Sequence, residues 1–245
     1  MTGFSCDLHL HSILSPCASL EMSPQNIVKR AKEVGLDMIA ITDHNMVENA
    51  LYTHELGKKF GLAVIFGMEL QTREEIHLLV FFSNYKAALG FQRKIYQYLP
   101  AVKNNPAYFG DQVVVDENDN IVRFEEKLLL NSVQISLDTA VSWVKLSGGV
   151  VIPAHVDSLA YSILSQLGYV PDNLSFDALE IINKQKITEL LPFIVPSGIP
   201  FVTFSDAHYL ADIGKRRTIF YLRAPDFEEI TKALGFKEGR YLELN

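Results

Sequence analysis

The sequence predicts an α/β fold, a closed barrel of β/α units, and three observations carry that prediction. Short apolar runs alternate along the chain with longer amphipathic ones, as parallel βαβ units require. The apolar runs are nearly continuous, which is how strands covered on both faces read. A chain of 245 residues with 48% apolar content is long enough to close one large core, and single α/β barrels reach this length. Residues 1–245 are therefore expected to form one domain with an insertion.

Each element has its own justification. CDLHLHS, starting at Cys6, is an apolar run that ends in two histidines. The predicted strands after it are DMIAIT (37–42), LAVIFGMEL (62–70), IHLLVFF (76–82), GVVIPA (149–154), DALEII (177–182), IPFVTF (199–204) and RTIFYL (217–222). SPQNIVKRAKEVG reads as a helix with Ser23 as N-cap, Pro24 at the first helical position and Gly35 at the end, the residue types that helix ends prefer. ENALYTHELGKKFG, NYKAALGFQRKIYQYL, SLDTAVSWVKLSGG and DFEEITKALG read as further helices. One connection departs from the alternation. Only TREEI separates the strands ending near Leu70 and starting near His77; that is too short for a helical crossover, so the two strands should pair antiparallel and bring Glu69 beside His77. Residues 100–137 read as the insertion, with two short strands around DENDN and a short helix at EEKLLLNS. A flap over a site and a plain surface elaboration both fit it.

Composition narrows the class. No stretch approaches the roughly 20 apolar residues of a membrane helix, and the first residues lack the order of a signal peptide, so the expectation is a cytoplasmic protein with no membrane partner. Cys6 and Cys17 are too few for a disulfide framework and read as free thiols. A net charge of -7 argues against long nucleic acid as a partner, because such binding neutralises phosphates with Lys and Arg. It leaves room for a small phosphorylated substrate, since bound cations invert the local field.

Six of the seven histidines stand at or just past a predicted strand end: His9, His11, His44, His77, His155 and His208. Asp7, Asp43, Glu69 and Asp206 stand at equivalent places. Residues i and i+2 of a strand share a face, so His9 and His11 point together and can share a metal ion. Strand ends of α/β barrels face a common mouth, which makes convergence of all six plausible chemistry. His54, in the middle of an amphipathic helix, reads as structural or exposed.

Taken together, DLHLHS, ITDHN, GMEL with His77 after it, PAHVD and FSDAH resemble the motif set of the polymerase and histidinol phosphatase (PHP) family, over Cys6 to about Gly214. The resemblance implies a distorted (β/α)7 TIM-like barrel holding up to three divalent ions, Zn, Mn or Fe, and hydrolysis of phosphoesters. NNPAYFGDQ, the insertion and SDAHYLADIG further resemble the branch that includes nucleoside 3′,5′-bisphosphate phosphatases. By position, His9, His11, Glu69 and Asp206 would hold one ion; Glu69 would bridge to a second that also takes His77 and His155; His44 and His208 would supply a third. Where relatives present Asp or His to that third ion, this chain has Pro16 and Cys17. Cys17 is then either a sulfur ligand, which would favour zinc, or a plain cysteine beside an empty site. Cys6 reads as core packing.

The implied chemistry is attack of a metal-activated water on a small-molecule phosphoester. Glu69 sets the separation of two ions, Asp206 is a ligand that can also take a proton, and His208 is the alternative acid. Asp7 and Asp43 read as partners that orient histidines, or simply as strand-end caps. Arg73, Lys184, Arg216 and Arg217 are candidates for phosphate contact. Two rivals remain: an amidohydrolase-like C–N hydrolase, which also uses H-x-H on a barrel, and a non-catalytic metal-binding module. Oligomeric state has no signal in the sequence.

Overall fold

The computed structural model describes residues 1–196 and 198–245. In chain order the elements are β1 (Thr2–Leu10), α1 (Pro24–Glu33), β2 (Met38–Ile41), α2 (Glu48–Phe60), β3 (Ala63–Gln71), β4 (His77–Phe82), α3 (Tyr85–Ile95), α4 (Pro106–Phe109), β5 (Val113–Val115) and β6 (Ile121–Phe124). They continue with α5 (Leu137–Leu146), β7 (Val150–Pro153), α6 (Ile163–Leu167), β8 (Leu179–Glu180), α7 (Ile187–Leu190), β9 (Phe201–Val202), β10 (Thr218–Leu222), α8 (Phe227–Leu234) and β11 (Tyr241–Leu244). Several helices begin at a side chain that caps them. Ser23 accepts from the Asn26 amide, Ser136 from Thr139 and Asp226 from Glu229, each satisfying a backbone donor that the first turn leaves free.

The fold is mixed α/β around a curled seven-stranded sheet in the order β11-β10-β1-β2-β3-β4-β7. Its centre is parallel, β1 with β2 and β2 with β3. The expected hairpin is present: β3 and β4 pair antiparallel, with Gln71 opposite His77 and Glu69 opposite Leu79. A uniform run of parallel β/α units is not what forms. β4 pairs antiparallel with β7, and β10 pairs antiparallel with both β1 and β11.

Two predicted strands, 177–182 and 199–204, shorten to two residues each and pair only with one another. Side chains replace part of the expected ladder. The Asp177 carboxylate accepts from Val151 N at 2.7 Å, and the Thr218 hydroxyl accepts from Thr203 N and donates to Thr203 O, both at 2.9 Å. Single backbone bonds still hold these segments to their neighbours: Val156 N to Glu180 O at 2.8 Å, Ala207 N to His9 O at 3.2 Å, and His11 N to Ala207 O at 3.0 Å. The last two return the chain to the end of β1.

The curled sheet separates two apolar layers. One face packs under the helices through residues such as Ile39, Ile41, Val64, Phe66, Leu78 and Val80. The other is lined by Cys6, Leu8, Met38, Ala40, Ile65, Leu79, Phe81 and Ile152, so Cys6 is core as expected. Gly67 shares this inner face. A Cβ there would lie 2.7 Å from the Phe81 ring, so glycine is what lets that ring cross β3. Glu69 and His77 lie on the same face by strand alternation, one step further along the hairpin.

Within 100–137, β5 and β6 form the expected small hairpin, but 125–132 is not helical. The Gln112 side chain holds it extended, donating to Glu125 O and Lys127 O and accepting from Leu129 N. The segment is tied to the site-bearing loops: the Asn45 amide donates to Leu129 O and Asn131 O, and Val133 N donates to Gln71 O. Among the described residues, no helix is long and apolar enough to cross a membrane.

Candidate metal centre

Six histidines and two carboxylates meet at one end of the curled sheet, around the buried carboxylate of Glu69. His77 Nδ1 lies 2.8 Å from Glu69 Oε1, His155 Nε2 3.2 Å and His9 Nε2 3.3 Å. On the other oxygen, His44 Nδ1 lies at 3.1 Å and His11 Nε2 at 3.5 Å. Asp206 Oδ1 lies 3.3 Å from His9 Nε2 and 3.4 Å from His11 Nε2. His208 stacks on His11 with ring centroids 4.3 Å apart. The loops that deliver two of these groups are strained: His155 and Asp206 have φ of 31° and 53°, a region that residues with a Cβ seldom occupy.

Partners outside the cluster fix which ring nitrogen faces inward. His9 Nδ1 lies 3.0 Å from Glu180 Oε1, His11 Nδ1 3.0 Å from Ser15 Oγ, and His77 Nε2 3.1 Å from Gln71 Oε1. A donor nitrogen engaged this way leaves the other lone pair for an ion. Asp43 acts on His11 through Ser15, whose hydroxyl donates to it at 2.7 Å. Asp7 touches no histidine ring; it accepts from Ser205 N and Gly214 N, and so positions the backbone leading to Asp206. Glu180, Ser15 and Gln71 are absent from the sequence reading. A glutamate inside the apolar run DALEII was the one available hint, since Glu180 is only 2% exposed and buried carboxylates need partners.

The residues present fit divalent ions. His44 Nδ1, His77 Nδ1, His155 Nδ1 and Asp206 Oδ1 are buried without a hydrogen-bond partner, an arrangement that proteins avoid unless another group takes those lone pairs. Three overlapping groups have donor atoms within 4.8 Å of one another: His9, His11 and Asp206; His44, Glu69 and His77; and His11, Cys17, His44 and His208. His44 thus stands with Glu69 and His77 as well as with His208, a wider reach than the third-ion role implied. Cys17 joins the last group; the residue is exposed overall, but its sulfur lies among the donors lining the cleft.

The electrostatics are those of a ligand set. Burial alone would raise the Glu69 carboxyl, but His77 and His9 outweigh it and hold it well below the usual range. Burial is likewise overcome at Asp206 by the charge of His9 and the hydrogen bond of His11. Burial lowers His11 to about 4 and His44 well below its ordinary value, leaving both rings neutral. His9 and His155 are the exceptions: burial disfavours their charge, yet Glu180, Asp206 and Glu69 raise His9 well above normal, and the hydrogen bond and charge of Glu69 raise His155. Burial and the Glu69 charge push the Cys17 thiol up, so thiolate ligation there requires a cation.

A cleft of about 350 Å³ opens on the cluster, lined by Cys17, His44, Glu69, Gln71, His77, Leu130, His155, Ser158, Ala160, Tyr161, Ile182, Asp206 and His208. The four candidate phosphate contacts lie outside it. Arg216 donates to Phe204 O and Ser205 O, and Arg217 to Gly214 O and Val34 O, so both guanidinium groups are spent on backbone carbonyls. Arg73 and Lys184 are exposed and absent from the lining. His54 contacts Val64 O from α2 at 2.8 Å, away from the cluster.

Comparison with known proteins agrees with this geometry. Residues 7–150 match the PHP domain and residues 196–240 the PHP-associated region. The chain belongs to the PHP family of metal-dependent hydrolases. Among curated proteins, it is 39% identical over 77 residues to an uncharacterised protein of Methanocaldococcus jannaschii, covering 28% of this chain and 44% of that one. It is 40% identical over 63 residues to the PolC-type DNA polymerase III of Listeria monocytogenes, covering 26% of this chain and 4% of that one. The chain therefore spans less than half the length of either relative. Its fold is similar to that of a lesion-specific endonuclease Q from Pyrococcus furiosus, with TM-score 0.73 and 19% identity over 98% of this chain and 58% of that one.

The expected exclusion of long nucleic acid does not stand. A second endonuclease Q structure, similar at TM-score 0.71, holds a 27-mer duplex with an abasic lesion at its active site. Net charge was the wrong quantity to judge by, because a cluster of cations at the mouth would set the local field.

Proposed function

We propose that this PHP protein hydrolyses phosphoesters with two or three divalent ions, Zn, Mn or Fe, held by His9, His11, His44, Glu69, His77, His155, Asp206, His208 and Cys17. The observation that carries the reading is Glu69: three imidazoles converge on one of its oxygens and two on the other, the disposition of a carboxylate that bridges two cations. Ions held there would supply Lewis acidity, activating a water and neutralising phosphate oxygens. Imidazole and carboxylate donors suit these metals better than calcium.

The chain's own residues do the rest. Glu69 keeps its charge at any physiological pH because the imidazoles around it hold its pKa down. Asp206, strained into the mouth, receives a proton from the attacking water. When the Cys17, His44 and His208 group holds no ion, His208, at the cleft wall with its Nδ1 3.6 Å from Asp206 Oδ1, protonates the leaving oxygen. No lysine or arginine lines the cleft among the described residues, so the phosphate charge is left to the ions.

The substrate is proposed to be a small phosphorylated metabolite, a nucleotide or nucleoside bisphosphate. A phosphodiester within a DNA strand is the second reading, supported by the fold likeness to endonuclease Q over nearly the whole chain. We infer further that residues 1–245 form one barrel unit of seven strands, closing through the 177–182 and 199–207 segments, with 100–137 as an insertion. Purified protein loaded with Mn or Zn should release phosphate from nucleoside bisphosphates or sugar phosphates, or cut a duplex at an abasic site. Turnover of cyclic amides with no ester cleavage would overturn the assignment.

A further inference from the structure

The loop after β7 carries a tyrosine that no part of the metal chemistry uses. The Tyr161 ring lies parallel to His77, with centroids 4.7 Å apart and planes 10° from each other. One face is thus covered by a residue of the donor cluster, yet the side chain remains 44% exposed and lines the cleft. Its φ is 56°, unusual for an aromatic residue, and the surrounding contacts impose it. His77 N donates to Tyr161 O at 2.9 Å. The next residue, Ser162, caps α6 in a reciprocal box with Ser165 and donates to Ser158 O at 2.8 Å. The ring is therefore held by strand β4 on one side and a capped helix on the other.

The walls of the cleft differ in chemistry. One carries metal donors; Leu130, Ala160, Tyr161 and Ile182 supply apolar surface, with no lysine or arginine among the described lining residues. An ester whose anionic end is met by cations must present something flat and apolar to the rest. We propose that Tyr161 is the platform on which the nucleobase of the substrate stacks while its phosphate occupies the Glu69 cluster, which makes Tyr161 a specificity-determining residue. The inference rests on the phosphoester reading above, and it names the substrate class as base-bearing esters, either free nucleotides or a nucleotide at a strand terminus or lesion. Base stacking on an aromatic side chain tolerates any base, so selectivity should lie between esters with a base and esters without one.

Two measurements test this. With Mn-loaded protein, the ratio of kcat/KM for a nucleoside monophosphate to that for glycerol phosphate should fall about tenfold in Tyr161→Ala and stay within about twofold in Tyr161→Phe. An equal fall on both esters would mean that Tyr161 only props His77, and would overturn the proposal. Separately, the fluorescence of 2-aminopurine riboside monophosphate, or of an oligonucleotide ending in 2-aminopurine, should be quenched by the unmodified protein and Tyr161→Phe and not by Tyr161→Ala. Quenching of the free nucleotide identifies a mononucleotide site; quenching of the oligonucleotide alone identifies a strand end; equal quenching by all three proteins overturns the platform. Quenching without hydrolysis of any ester would sink the catalytic reading and leave the stacking site standing.

Discussion

Glu69 and Glu229 are two buried carboxylates with opposite surroundings. Glu229, on α8, is saturated: Arg240 donates to both of its oxygens at 2.9 and 2.6 Å, and Arg223 N donates to one at 2.7 Å. Glu69 lies among five imidazoles, two of whose nearby nitrogens have no hydrogen bond at all. A guanidinium cannot give up its proton in a protein, so the Glu229 pair can only hold structure together. An imidazole can, and a carboxylate surrounded by imidazoles is a place where protons and cations exchange. The identity of the partner, more than burial, separates a structural acid from a functional one.

That contrast can be broken by experiment, starting with its strongest arm. Glu69→Ala should remove esterase activity by on the order of 10³-fold or more and lower the bound metal measured by elemental analysis, while circular dichroism shows a folded chain. If activity survives, the bridging role is wrong. Next comes Glu180→Gln, which keeps shape and weakens the hold on His9 Nδ1; metal affinity or activity should drop about 10–100-fold, the usual cost of losing such an outer partner, read by competition with a chelator. A fall no larger than twofold would leave His9 oriented by something else.

Proton competition should follow the same divide. His9 is raised well above the ordinary histidine value, because its carboxylate neighbours overcome burial; without metal it is protonated at neutral pH. Loading an ion therefore expels a proton, and metal affinity should rise with pH up to and beyond neutrality. His11, lowered to about 4, contributes nothing to that slope. Calorimetry in buffers of different ionisation enthalpy counts the protons released; a count of zero at neutral pH contradicts the assignment.

The smallest effect belongs to the saturated pair. The Glu229 carboxyl is held down at about 2, chiefly by the hydrogen bond from Arg240. A depressed acid contributes stability that is present above its unfolded value and lost as pH falls towards the folded one, so this contribution should fade between about 4.5 and about 2. Arg240→Ala should lower the thermal midpoint at neutral pH, with the deficit shrinking in acid, and should leave activity per folded molecule unchanged. A variant as stable as the parent at pH 7 would show that the pair is idle.

Much of the site was readable because it depends on local pattern. H-x-H on a strand, a short turn between two apolar runs, and acidic residues at strand ends each have a one-dimensional trace. The hairpin between β3 and β4 followed from the length of TREEI alone. What was missed depends on contacts between distant segments: Glu180 reaches His9 across 171 positions, and Tyr161 meets His77 only because β7 pairs with β4. The apolar runs at 177–182 and 199–204 overstate the strands, since Asp177 and the Thr218 hydroxyl replace ladder bonds. The leucines of EEKLLLNS read as helical, and the Gln112 side chain, outside any local window, overrode them. Arg216 and Arg217 looked like free cations because a sequence does not show which carbonyls are left wanting.

The β3–β4 hairpin has one more implication. Two of the proposed cation donors, Glu69 and His77, sit on a single ribbon closed by a five-residue turn, so their spacing is set by one local hairpin. Because neighbouring positions on a strand point to opposite sides, a residue inserted between Thr72 and Ile76 that slips β4 by one position against β3 would swing His77 out towards the helices. The sheet could survive such a change; the pocket would lose the imidazole that lies nearest to Glu69. The length of that turn is thus as much a condition of the proposed ion site as any side chain it connects.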